Sequence, residues 1–113
     1  MKNIHIIARF KIQEGKLIEF KTGAEKCIAA TKKEEGALLY DWFIDEENLK
    51  CTVVETYKDS DATLAHAANV NELLGKLVEI SEFSGEVFGN ASDELQNALS
   101  GMNIKTVPFY KGL

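Results

Sequence analysis

The chain has 113 residues, 45% of them hydrophobic and 27% charged, a balance that describes one globular domain over residues 1–113 and excludes a disordered tail. Thirteen Lys and Arg stand against eighteen Asp and Glu, and the resulting net charge of −5 excludes a broad phosphate-tracking surface for nucleic acid. Cys27 and Cys51 lack a CxxC or His-spaced companion, the N-terminus lacks a signal-like apolar stretch, and no apolar run approaches the roughly 20 residues of a membrane span; these features predict a reduced, cytoplasmic protein without a metal site.

The first element reads as a strand, because Ile4, Ile6, Ala8, Phe10 and Ile12 alternate with His5, Arg9 and Lys11. After Gln13-Glu14-Gly15-Lys16 the spacing changes to three and four through Leu17, Phe20, Ala24, Cys27, Ile28 and Thr31, which predicts an amphipathic helix. Gly23 lies inside it at a propensity cost of about 1 kcal/mol against Ala. Gly36 is the expected left-handed cap after it.

Two strands follow, Ala37 to Ile44 and Leu49 to Tyr57, joined by the acidic turn Asp45-Glu46-Glu47-Asn48 and paired as a hairpin. On the first of them Leu38, Tyr40, Trp42 and Ile44 share one parity, while Ala37, Leu39 and Phe43 share the other with only Asp41 polar. Apolar residues on both parities predict that both faces are covered, and in a chain this short a second copy is the expected cover. Asp59-Ser60-Asp61 caps a second helix, with a break expected at Asn69-Val70-Asn71. A fourth strand is predicted from Phe83 to Phe88, a short helix from Ser92 with Leu95, Ala98, Leu99 and Met102 inward, and an edge strand or extended arm from Asn103 to Leu113. The order is β-α-β-β-α-β plus a C-terminal helix and arm. It specifies an α+β, ferredoxin-like fold with a four-stranded antiparallel sheet, its core at about residues 4–88 and its extension at about 92–113.

Several strings, in this order and spacing, carry a resemblance. They are Arg9-Phe10-Lys11-Ile12-Gln13-Glu14-Gly15-Lys16, Glu34-Glu35-Gly36-Ala37-Leu38-Leu39-Tyr40, Glu55-Thr56-Tyr57, and Ala62 through His66. Together they resemble the antibiotic biosynthesis monooxygenase (ABM) family of dimeric α+β barrels, in particular its YgiN-like quinol monooxygenase type. The resemblance implies a homodimer whose two sheets face each other, with a pocket in each protomer between sheet and helices. It also implies a cofactor-independent monooxygenase acting with O₂ on an electron-rich aromatic or quinol ligand, without haem, flavin or metal; the charge balance and the lack of a long apolar run separately predict no nucleic-acid or membrane partner. The haem-degrading branch carries an Asn, a Trp and a His at positions that fall here on Ala8, His66 and Lys76, so that branch's ligand is missing.

His66 is the candidate catalytic residue. Ala62, Asn69, Val70 and Leu73 share its helical stripe, which sets the imidazole against the sheet, where it is either a general base or a core-edge histidine bonded to a backbone carbonyl or to Asn69. Trp42, Tyr40 and Tyr57, with Asn69, are candidates for the substrate lining, since large aromatics with one polar atom suit a flat ligand, and the alternative for the aromatics is plain core or dimer interface. Arg9, the only arginine, is expected to pair with Asp41 or Glu55 across the dimer. Paired carboxylates for acid–base work are not evident, nor is a phosphate-cradling loop, a Ser-His-Asp set or a dinucleotide fingerprint. Cys27 reads as inert packing. The competing functions are a non-catalytic dimeric ligand-binding module, an oxygen-independent enzyme such as an isomerase, and a haem-degrading oxygenase.

Overall fold

Alternation decides the first element: Ile4, Ala8, Phe10 and Ile12 are buried, and His5, Arg9 and Lys11 are exposed. The computed structural model describes residues 2–113. Its elements are β1 (Ile4–Ile12), α1 (Leu17–Thr31), β2 (Ala37–Asp45), β3 (Lys50–Tyr57), α2 (Ser60–Glu79), β4 (Ser81–Phe88), α3 (Asp93–Leu99) and β5 (Ile104–Val107). The strands form one sheet in the order β2-β3-β1-β4-β5. β1 pairs antiparallel with β3 and β4, β2 pairs antiparallel with β3, and β5 joins β4 in parallel. The expected four-stranded antiparallel sheet is thus extended by the tail into a mixed sheet of five strands. Ile104 packs against the cluster of Ile4, Val87, Leu95 and Leu99, which holds the tail at that edge.

Both long helices cover one face. Phe20, Ala24 and Cys27 of α1, and Thr63, Val70 and Leu77 of α2, are buried over Phe10, Cys51 and Val53. Each large apolar side chain hidden this way contributes roughly 1.5–3 kcal/mol before its entropy cost is counted. α2 begins at Asp59, whose carboxylate accepts the Ala62 N–H at 2.8 Å, and α3 begins at Ser92, whose hydroxyl accepts the Leu95 N–H at 3.1 Å.

Three local expectations are corrected. α2 is a single helix with no break at Asn69-Val70-Asn71, because Val70 is core at 1% exposure and Asn69 donates to the Ala30 carbonyl of α1, so tertiary contacts override the weak helix propensity of Asn. Gly36 is not a left-handed cap: the positive-φ glycines are Gly15 and Gly89, and α1 closes through Lys32 in the right-handed region. What Gly36 supplies is room, since a Cβ there would overlap that of Ala62. Finally, the β2 register shifts between Ala37 and Leu39, and this irregularity removes Leu38 from the core parity and leaves it 57% exposed. Among the described residues, no helix is long and apolar enough to cross a membrane.

Candidate active site

The register of the sheet settles which parity meets the helices. β2 turns Tyr40 and Trp42 inward, β3 turns Val53, Glu55 and Tyr57 inward, and β1 contributes Ala8 and Phe10. Between this face and α2 lies a cavity of about 150 Å³. Phe10 forms its floor, with its ring 5.1 Å from Phe83 and 6.0 Å from Trp42, measured between centroids. Ala98, Leu99, Met102 and Ile104, from α3 and the segment after it, close one side. A wider depression of about 360 Å³ over Arg9, Lys11 and Thr52 is shallow and open, and it is bordered by side chains of the outer parity.

His66 lies in the wall of the cavity between sheet and α2 at 7% exposure. Its imidazole is flanked by Tyr40 and Tyr57, with ring centroids at 5.0 and 4.9 Å. Nδ1 is 3.1 Å from both carboxylate oxygens of Glu34. A carboxylate only accepts, so Nδ1 carries the hydrogen and Nε2 keeps a free lone pair. Nε2 faces Glu55 Oε1 at 3.7 Å, beyond hydrogen-bond length. Burial lowers the pKa of His66 from its ordinary value, and the charge and hydrogen bond of Glu34 offset part of that fall.

Glu55 is buried at 7% exposure and accepts the Tyr57 hydroxyl at 2.6 Å. Burial pushes its carboxyl up to about 7, against a lowering by the Tyr57 hydrogen bond and a small further rise from Glu34. Both tyrosine hydroxyls are pushed well above their usual range by burial. Cys27, with no exposed surface, is raised to about 11 by burial, which keeps it a thiol and fits its reading as inert packing.

The structure brings His66, Tyr40 and Trp42 to the cavity and sets the other two candidates behind it. Tyr57 is fully buried and serves Glu55, while Asn69 donates to Glu34 Oε2 at 2.8 Å and so braces the carboxylate that holds His66. The indole Nε1 of Trp42 is the one buried side-chain nitrogen or oxygen without a partner among the described residues. Within the chain Arg9 binds Glu86 of the adjacent strand at 2.6 Å, and Glu55 points to the opposite face, out of reach of Arg9.

Two site residues escaped the sequence reading, which saw no paired carboxylates. Glu55 did leave a signal, as the one charged residue on the parity of Cys51, Val53 and Tyr57. Glu34 left none, since it sits in the polar run that ends α1. The two carboxylates address opposite nitrogens of one imidazole, and no metal-holding group of three forms among the described residues. A haem does not fit: its macrocycle exceeds the cavity several-fold, and His5, the other histidine, bonds Thr56 at an exposed position on the opposite parity.

Residues 3–71, which include Glu34, Glu55 and His66, match the antibiotic biosynthesis monooxygenase family. The chain belongs to this family. Among solved structures it is similar to MupZ from Pseudomonas fluorescens, with TM-score 0.88 and 24% identity over 100% of this chain and 94% of that one. A conserved protein from Methanosarcina mazei Go1 gives TM-score 0.71 and 24% identity over 77% of this chain and 91% of that one. A mutant of SnoaB, a cofactor-independent oxygenase from Streptomyces nogalater, gives 0.68 and 14% over 81% and 96%. At these identities the likeness is one of fold. A search of curated proteins finds no match. The α3–β5 extension lies outside the residues matched to the ABM family, yet it supplies one wall of the cavity.

Proposed function

We propose that this ABM protein is a cofactor-independent monooxygenase that oxidises a small phenol or quinol, with His66 as the general base. The observation that carries this reading is the orientation of His66, pinned by Glu34 at Nδ1 with an unprotonated Nε2 in the wall of a largely apolar cavity. The cavity is not filled by the protein's own side chains, which favours ligand chemistry over a purely structural module. Its size suits a small ligand: about 150 Å³ matches a single benzene ring. Tyr40 and Trp42 supply aromatic walls, and Trp42 Nε1 offers an unspent donor for a second oxygen of a quinol.

In this reaction the substrate is its own reductant. Transfer of the phenolic proton to Nε2 leaves the electron pair on the substrate oxygen and raises the ring's electron density. One electron passes to O₂, the substrate radical and superoxide combine to a peroxide, and loss of water gives the quinone. A quinol and O₂ thus become a hydroxyquinone and water, with both oxygen atoms and all four electrons accounted for. The protein contributes a largely apolar site, an orienting contact and the base.

The test is O₂ uptake with a panel of monocyclic quinols, together with quinone formation. Uptake that is lost in His66→Ala supports the role of His66, and full activity in that variant removes it. Glu55 beside Nε2 also favours a second reading, an oxygen-independent proton transfer of the isomerase type. Turnover that persists without O₂ would select it.

The working unit is proposed to be a homodimer, as is typical of the family. Phe43 is 57% and Leu39 38% exposed on the sheet face that carries no helices, and a second copy meeting that face would cover them.

A further inference from the structure

We infer that Glu55 is a second catalytic residue, a neutral carboxylic acid whose O–H holds the substrate oxygen while His66 removes that oxygen's proton, so that the site selects a hydroxyl on an unsaturated carbon, a phenol or an enol. This rests on the acid–base reading of the cavity given above.

The geometry of the gap carries it. Glu55 Oε1 and His66 Nε2 are 3.7 Å apart, too far to bond each other, and both residues line the same cavity. An oxygen about 2.8 Å from each atom closes a triangle with an angle of about 80° at that oxygen, so one substrate hydroxyl reaches both. It donates to Nε2 and accepts from Glu55. Oε1 already receives the Tyr57 hydroxyl at 2.6 Å, which orients it and strengthens the hydrogen it gives onward. β1 presents only Ile6 opposite Glu55, and α2 presents Thr63, Ala67 and Val70 beside His66, so no cation reaches the carboxyl. The titratable neighbours are Tyr57, Tyr40, Cys27, His66 and Glu34, and Glu34 is the only carboxylate among them.

The step balances. The substrate O–H bond breaks, an N–H bond forms at Nε2, and the electron pair stays on the substrate oxygen. The new imidazolium lies between the Glu34 carboxylate and the substrate anion, and the net charge of the site is unchanged. With Glu55 ionised, two anionic oxygens would meet across the same gap, which is unfavourable in a buried site. The acid is thus a fixed donor aimed at developing charge.

The experiment measures calorimetric binding of pentafluorophenol, largely ionised across the range used, to wild type and to Glu55→Gln at about pH 6 and about pH 8. Titration of His66 is common to both proteins apart from its coupling to Glu55, so the pH dependence of their ratio reports on Glu55. At about pH 6 the two should bind within about twofold, because the Gln amide replaces the acid as donor. At about pH 8 wild type should be about tenfold weaker than Glu55→Gln, as follows from a carboxyl titrating near 7. A ratio that does not change with pH overturns the proposal, as does failure of either protein to bind at both pH values. Tyr57→Phe provides an independent check: loss of its hydrogen bond raises the Glu55 carboxyl, so the weakening of the otherwise wild-type site must move to higher pH, and an unmoved midpoint counts against the proposal. If binding follows this pattern while O₂ uptake is absent, the oxygenase reading fails and the role of Glu55 stands.

Discussion

Glu34 and His66 are separated by 32 residues in the chain, yet the Glu34 carboxylate sits 3.1 Å from the imidazole Nδ1 through both of its oxygens. The contact sets the tautomer and the plane of the ring, and Asn69 holds the carboxylate in turn. The base proposed above would thus depend for its orientation on a residue that does not line the cavity.

Glu34→Gln should lower kcat by about 10²-fold, the scale of a misoriented catalytic group, while the protein stays folded. The charge and hydrogen bond of Glu34 raise the His66 pKa, so their loss lets it fall further, and the acid limb of the kcat/KM profile should move to lower pH. Unchanged kcat with an unmoved limb would remove Glu34 from the mechanism.

Glu55 makes stability pH-dependent in a stated direction. Its carboxyl is raised from 4.5 to about 7 in the fold, so between those values the folded chain holds a proton that the unfolded chain has released. The stabilising contribution is complete below about 4.5 and is lost as pH rises through about 7, on the order of 3 kcal/mol in all. Relative to wild type, Glu55→Gln should gain Tm as the pH rises from about 5 to about 8. Parallel Tm profiles for the two proteins would refute this.

Gly23 is placed where α1 and α2 touch: a Cβ there would lie 2.5 Å from Leu77 Cδ2, and Leu77, at 1% exposure, would have to shift within the core. Gly23→Ala gains about 1 kcal/mol of helix propensity but incurs overpacking of about 1–3 kcal/mol, so a net loss of stability is expected on denaturant unfolding. A stabilised variant would mean that the helices separate easily.

Phe43→Asp tests the dimer. The side chain is 57% exposed in a single chain, and an ionised carboxylate placed between two sheets is costly. Sedimentation should show the wild type at twice the chain mass and the variant shifted toward one chain mass at micromolar concentration. A monomeric wild type would leave the outer face of β2 without the proposed partner.

Much of the architecture was legible in the residues themselves. Period-two spacing from Ile4 to Ile12 and the three-and-four spacing from Leu17 to Thr31 are local properties, and both elements form where they predict. Parity along β2 separated Tyr40 and Trp42 from Leu39 and Phe43 but did not say which pair meets the helices. Leu38 broke even that pattern, because a register shift against β3 moves it off its parity.

The sequence by itself determined the element order, the ferredoxin-like frame and the burial of His66, because each depends on spacing within a single turn or strand. Only the tertiary structure decided that Glu34 and Glu55 face the two nitrogens of that histidine, that α2 runs unbroken through Asn69, and that the tail adds a parallel strand and closes the cavity. Those outcomes depend on which distant segments meet. A polar residue such as Glu34, in a stretch with no periodicity, carries no local mark of the partner that packing will bring within 3.1 Å of it.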